Sequence, residues 1–209
     1  MKDIVIVGAG HLGLDVYSLI KEINKVKPTW NIRGFINDIA IDIKNDYRID
    51  SSIIGTIKEY EPTHDVSLAM AIGSCEGREK VADMLIKKGG VFETLISPSA
   101  KVNETATIGE GSLILSTSKI GHCVKLGRFV VIGDTTISYR SEVGDFSNTA
   151  SYVNIYKELK VGHHSQIWSS SVILSNVGNY ATVCAGSIVV KKVKDHTKVL
   201  GNPAKKIDI

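Results

Sequence analysis

The sequence predicts a small α/β domain followed by an all-β domain wound as a parallel β-helix. Three observations carry this reading: a complete G-x-G-x-x-G between a strand pattern and a helix pattern near the start, an aliphatic period of six from Val102 onward, and a composition with 19 glycines but only 6% aromatic residues. That composition suits narrow, stacked β layers better than a helical bundle. The expected division is residues 1–96 for the α/β domain and 97–209 for the coil.

Asp3 to Val7 read DIVIV, the short apolar run of a strand buried on both faces. Gly8-Ala9-Gly10-His11-Leu12-Gly13 follows, and then Leu12, Val16, Leu19, Ile20 and Ile23 recur at helical spacing. A glycine motif in this strand–turn–helix context brings backbone N–H groups and a helix N-terminus up to an anion such as a pyrophosphate. A second strand near Asn31 to Phe35 leads into Asn37-Asp38, where a carboxylate suits a ribose or a base. Leu68 to Ile72 reads as a third strand ending at Gly73-Ser74. Val81, Leu85 and Ile86 mark a helix stopped by Gly89-Gly90, and Phe92 to Ile96 a last strand. The unit is about half of a classical doubly wound Rossmann domain, so it suits a mononucleotide or a nucleotide-linked sugar better than a full dinucleotide.

From Val102 the aliphatic residues Ile108, Ile114, Ile120, Leu126 and Ile132 are spaced by six. After a step of five, Ile137, Val143, Thr149, Ile155, Val161, Ile167 and Ile173 continue. After a step of four, Val177, Val183 and Val189 resume. A triangular coil gives this period: each hexad supplies a short strand and a turn, three hexads make a rung, and rungs stack about 4.8 Å apart. Glycine often follows the periodic residue, as at Gly109, Gly121, Gly127, Gly133, Gly144, Gly162 and Gly178. The expectation is that this position needs a turn conformation, for which glycine has no steric penalty.

A net charge of +3, with scattered basic residues, argues for neither nucleic acid nor an anionic membrane as partner. Cys75, Cys123 and Cys184 form neither a disulfide framework nor a metal-ligand pattern, so no metal is expected and the compartment reads as reducing. The apolar run Ile4 to Val7 is too short for a signal peptide or a membrane span, which points to a cytoplasmic protein.

Several segments together resemble the NeuD/PglD family of bacterial sugar O- and N-acyltransferases: IVIVGAGHLGLDV, RGFINDI, AIGSCEGRE, TLISPSAKV, the hexad array and VLGNPAKKI. The resemblance spans almost the whole chain. It implies a left-handed prism, a homotrimer, and acetyl-CoA as co-substrate for acylation of a UDP- or other nucleotide-linked sugar in surface-glycan biosynthesis. It places the nucleotide-sugar on Gly8, Gly10, His11, Gly13, Asn37, Asp38 and Gly73. It places the coenzyme on Ala185, Gly186, Gly201, Asn202, Pro203 and Lys205. The family's terminal loop usually reads GNPAR; Lys205 replaces the arginine and loses its bidentate fork.

The family's general-base histidine lies in a stretch resembling I-x-H-[DE]-x-x-I-G-D-F. Here the stretch runs Ile137 to Phe146, with Tyr139 at the histidine position, Arg140 at the acid and Asn148 at a second histidine position. Tyrosine ordinarily titrates near pH ~10 and is a poor base at neutral pH. His122, two residues after Ile120 as Tyr139 is two after Ile137, is the candidate replacement one rung away. His163-His164, on another face, is a second candidate. The alternative to a transferase is an inactive relative that keeps the sugar site and serves a biosynthetic enzyme as a partner.

Overall fold

The structure, a computed structural model, describes residues 1–208. It divides into two compact units, Met1–Pro98 and Ser99–Ile209. No helix among the described residues is long and apolar enough to cross a membrane.

In the first unit the order is β1 (Lys2–Val7), α1 (His11–Val26), β2 (Trp30–Ile36), α2 (Ile43–Tyr47), β3 (Ile53–Gly55), β4 (Val66–Met70), α3 (Cys75–Lys87) and β5 (Val91–Phe92). The five strands form one parallel sheet ordered β3-β2-β1-β4-β5. Ile4 to Val7, Phe35, Ile36 and Leu68 to Met70 are buried along its centre, as central parallel strands require. α1 lays Val16, Leu19 and Ile20 into the core. Ser74 caps α3 by accepting the Gly77 N–H at 3.2 Å. The chain reverses direction across the sheet between β1 and β4, the switch point at which such sheets open a crevice beyond their strand ends. α2 and β3 are additions to the elements that the sequence predicts. Residues 39–52 have a short, mostly polar pattern with no stable period, and their helix is a single capped turn.

The second unit is a coil of two- and three-residue strands on three faces. One face stacks Val102, Ile120, Ile137, Ile155, Ile173 and Val189 in parallel register. The second stacks Ile108, Leu126, Val143, Val161, Val177 and Val193. The third stacks Ile114, Ile132, Thr149, Ile167, Val183 and Val199. All are buried apart from Val102 and Ile108, which are half-buried. The expected columns are therefore present, and Val193 and Val199 extend two of them past the point where a further step of four hides the period. Thr149, the polar exception, accepts a hydrogen bond from the Thr135 hydroxyl at 2.8 Å.

The expected reason for the glycines is corrected. The glycine after an anchor has an ordinary negative φ; the left-handed residue is the third after the anchor, as at Cys123, Phe129, Arg140, Phe146, Glu158, His164 and Tyr180. The glycines serve close approach instead. A Cβ on Gly109, Gly144 or Gly162 would stand 2.5–2.6 Å from backbone nitrogen of the adjacent rung.

Two further ladders line the coil. Ser112, Ser147 and Ser165, two residues before an anchor, are fully buried and donate to the carbonyls of Gly127, Gly162 and Gly178 at 3.0, 2.7 and 2.7 Å. One corner carries a stack of rings: Phe129 on Phe146 (5.4 Å between centroids), Phe146 on His164 (5.1 Å), His164 on Tyr180 (4.7 Å) and Tyr180 on His196 (4.8 Å). All five ring-bearing residues are left-handed. Gly111 stands below the stack, where any Cβ would collide with the Phe129 ring.

Candidate functional site

In the first unit the glycine loop lies at the sheet's switch point. Gly8 has φ +106°, and a Cβ there would lie 2.8 Å from Ile72 Cδ1 and 2.9 Å from the Ala71 carbonyl oxygen. The β1 loop is thus pressed against the end of β4, so glycine is required twice over. Gly10 is the N-cap of α1 with no side-chain cap, and no acidic residue occupies the first turn. That leaves an electropositive helix end suited to an anion. His11 projects into solvent, with Nε2 3.8 Å from Asp15 Oδ2. Partial burial pushes the Asp15 carboxyl up, with His11 pulling it back.

Asn37 and Asp38 hydrogen-bond within the domain. Asn37 Oδ1 accepts the Ala9 N–H at 3.1 Å and its Nδ2 donates to the Ile39 carbonyl at 2.6 Å. Asp38 Oδ1 accepts the N–H groups of Ile57 and Lys58 at 2.8 and 3.3 Å. These two side chains hold the glycine loop and the 56–60 turn against the end of β2. Beside them lies a groove of ≈ 810 Å³ between the Asn37–Lys44 and Ser51–Ile53 segments. Gly73 is exposed with open space at its Cα.

Arg78 was not singled out from the sequence. It is fully buried, and its Nη1 donates to the carbonyls of Ile72 and Gly73 at 2.8 and 3.3 Å. Burial pulls its pKa down, partly offset by the Cys75 sulfur. The guanidinium locks the loop that presses on Gly8. An arginine three residues into a helix after a strand–glycine turn is the only signal the sequence offers for it.

In the second unit the register pairs Ile120 with Ile137, so His122 and Tyr139 occupy equivalent positions on adjacent rungs. The Arg140 N–H donates to the His122 carbonyl at 3.0 Å. Tyr139 is 42% exposed, and the Arg140 guanidinium sits over its ring at 5.2 Å. Asn148 pairs with Val131 and Gln166 on the third face. His122 Nε2 lies 3.2 Å from Asn103 Nδ2.

His164 belongs to the ring stack, and His163 meets the His164 and Tyr180 rings edge-on. Their Nδ1 atoms are 2.9 Å apart, His164 is buried, and both rings contact Tyr180. Glu142 lies between Lys160 (2.9 Å) and Lys125 (3.6 Å). Asp145 accepts the Arg128 N–H at 3.0 Å.

The two segments expected to meet the coenzyme come together at the end of the coil. Gly186 has φ +70° and Gly201 φ +106°. The Ile188 N–H donates to the Gly201 carbonyl at 3.0 Å, the Ala204 N–H to the Ile188 carbonyl at 2.8 Å, and the Gly201 N–H to Ser187 Oγ at 3.2 Å. Lys205 pairs with Leu200 in an antiparallel turn through Asn202-Pro203, whose peptide bond is cis. Ala185, Asn202, Pro203 and Lys205 are exposed. Among the described residues no group of His, Cys, Asp and Glu side chains is placed to hold a metal ion.

Residues 3–85 match the family model of the PglD N-terminal domain. The bifunctional protein GlmU of Synechococcus sp. (strain CC9605) is 30% identical over 177 residues, covering 80% of this chain and 38% of that protein. The chain spans less than half the length of the curated relatives it matches. The acetyltransferase domain of PglB from Neisseria gonorrhoeae FA1090 superposes with a TM-score of 0.88 at 22% identity, over 99% of this chain and 100% of that one. The same domain is known in complex with acetyl coenzyme A, with a TM-score of 0.86. A mutant of GDP-perosamine N-acetyl transferase from Caulobacter crescentus, in complex with CoA and GDP-perosamine, gives 0.88 at 18% identity, over 100% and 98% of the two chains. These likenesses establish the fold as a Rossmann-like α/β domain followed by a left-handed parallel β-helix.

Proposed function

We propose that this chain, whose residues 3–85 match the PglD N-terminal domain, transfers an acyl group, acetyl from acetyl-CoA, to an amine or hydroxyl of a nucleotide-linked sugar. The observation that carries this is the docking of the Gly201–Lys205 loop onto Ser187 and Ile188, which gathers the segments assigned to the coenzyme at one place on the coil. The nucleotide-sugar is assigned to the glycine loop at the switch point, with Gly10, His11 and Gly73 exposed at its surface and Gly8 and Gly13 buried beneath it, where they shape the turn. Asn37 and Asp38 shape that loop through the bonds described. PglB's acetyltransferase domain binds acetyl coenzyme A and the Caulobacter enzyme binds GDP-perosamine, which supports both assignments by likeness of fold.

With Tyr139, Arg140 and Asn148 at the positions of the family's histidine, acid and second histidine, the rate rests on positioning two bound substrates rather than on a strong base. An amine that arrives deprotonated meets this requirement more easily than a hydroxyl. The working assembly is a homotrimer in the cytoplasm. Tyr156, Leu174 and Val190, exposed one above another along one edge of the coil, supply apolar surface for it.

The test is incubation of the purified chain with acetyl-CoA and a panel of UDP- and GDP-linked amino sugars, read by mass spectrometry. An acetylated sugar with release of free CoA is expected. Binding of a nucleotide-sugar with no acetylation of any of them would instead select a second reading, a non-catalytic sugar-binding partner of a biosynthetic enzyme. That reading is favoured by the family resemblance, which sets Tyr139, Arg140 and Asn148 where relatives carry two histidines and an acid.

A further inference from the structure

His122 is exposed on the coil, one rung from Tyr139, and its hydrogen bonding settles which of its nitrogens carries the proton. Asn103 Oδ1 accepts two hydrogen bonds from Thr105, one from the backbone N–H at 3.0 Å and one from the hydroxyl at 2.8 Å. The Thr105 hydroxyl oxygen in turn accepts the Cys123 N–H at 2.9 Å. An amide whose oxygen faces two donors must turn its NH₂ the other way. That NH₂ faces His122 Nε2 at 3.2 Å. Nε2 is therefore an acceptor, the ring is neutral, and the proton sits on Nδ1. Among the described residues Nδ1 has no protein partner.

We infer that Asn103 is a positioning residue that holds His122 as a neutral, Nδ1-protonated imidazole, and that His122 serves the transfer as a hydrogen-bond donor to the acyl carbonyl oxygen. This rests on the transferase reading above. Its basic nitrogen is already occupied by a donor. A proton arriving at Nε2 would face the Asn103 N–H, and flipping the amide would turn its NH₂ toward the Thr105 N–H. The lone pair of the acceptor amine or hydroxyl forms the new bond to the acyl carbon, and the carbonyl π pair moves onto oxygen, where His122 Nδ1–H meets it. Collapse restores the carbonyl and breaks the C–S bond. The CoA thiolate leaves with that electron pair and takes up the proton lost by the acceptor. The His122 proton stays on Nδ1 throughout.

The first arm of the test is long-range ¹H–¹⁵N NMR of the full chain labelled at histidine, with His122 assigned by its loss in His122→Gln. The expected spectrum at neutral pH shows the proton on Nδ1, and Asn103→Leu moves it toward Nε2. A proton on Nε2 in the unaltered chain, or a spectrum indifferent to Asn103→Leu, overturns the clamp. The second arm measures kcat and KM. Replacing the donor by His122→Ala lowers kcat about a hundredfold with KM little changed. His122→Asn, whose NH₂ lies near the place of Nδ1, recovers most of the loss. An Asn variant as inactive as the Ala variant assigns a proton-accepting role instead. Absence of transfer with the Nδ1 tautomer in place counts against the transferase reading and against donation to an acyl oxygen, while leaving the Asn103–His122 clamp standing.

Discussion

The carbonyl oxygen of Gly8 lies 2.5 Å from the point where a Cβ on Gly13 would stand. The third glycine of the motif is thus fixed by the first: α1 starts close enough to the β1 turn that no side chain fits between them. Gly13→Ala forces backbone against a methyl group and costs about 2 kcal/mol. Chemical denaturation of the variant checks this. Gly10→Ala, where open space surrounds the Cα, serves as the mild comparison.

Arg78 joins Ile72 and Gly73 to α3 through its buried guanidinium. Arg78→Leu removes the buried donor and leaves the Ile72 and Gly73 carbonyls short of a partner, a loss of about 3 kcal/mol. Arg78→Lys keeps a charge but only one compact donor, and recovers part of it. Urea melts of the three proteins give the ranking directly. An Arg78→Leu variant as stable as the parent would remove the guanidinium from any account of the Ile72–Gly73 loop.

Glu142 is held below its ordinary 4.5, first by the hydrogen bond from Lys160 and then by the charges of Lys160 and Lys125, with desolvation opposing. A carboxylate with a depressed folded pKa stabilises fully above 4.5, and that stability is lost as pH falls through the lower folded value. On this exposed face the gain is small, about 0.5 kcal/mol. Glu142→Gln should be less stable than the parent at pH 7, and the gap should close in acid below pH 4.5 and in high salt.

The three thiols should separate by reactivity. Cys123 is exposed, Cys184 half-buried and Cys75 buried. Burial pushes the Cys75 thiol above its ordinary 9.0, with Arg78 opposing. A disulfide reagent at pH 8 should label Cys123 quickly, Cys184 more slowly and Cys75 only after denaturation. Peptide mapping of the labelled chain reads the order.

The coil was legible because burial at every third hexad repeats the same demand, so Ile120, Ile137 and Ile155 announce one column without any knowledge of their neighbours. The period failed only at Val193 and Val199, after a third shortened step. The buried serines also carry a period, but a small polar residue at a corner looks like a solvated turn until its carbonyl partner on the next rung is seen. The left-handed corners at Phe129, Phe146 and Tyr180 were hidden for a different reason. Bulky side chains rarely adopt that conformation alone, and here each ring rests on the one below it. In the first domain the glycine motif announced its strand and helix. Sequence could not reveal that Asn37 and Asp38 bond Ala9, Ile57 and Lys58, because hydrogen bonds across 19 to 28 residues leave no local pattern. The Asn103–His122 contact bridges two rungs and is equally silent.

The ring stack from Phe129 to His196 makes neighbouring turns of the coil answer to one another in single file. Tyr180 is the splice between His164 and His196. Without its ring the file parts into a lower run of three and a lone terminal imidazole. Damage at one storey is then felt by the storeys directly above and below, and the upper end, carrying the Gly201–Lys205 loop, is insulated from the lower by a single aromatic plate.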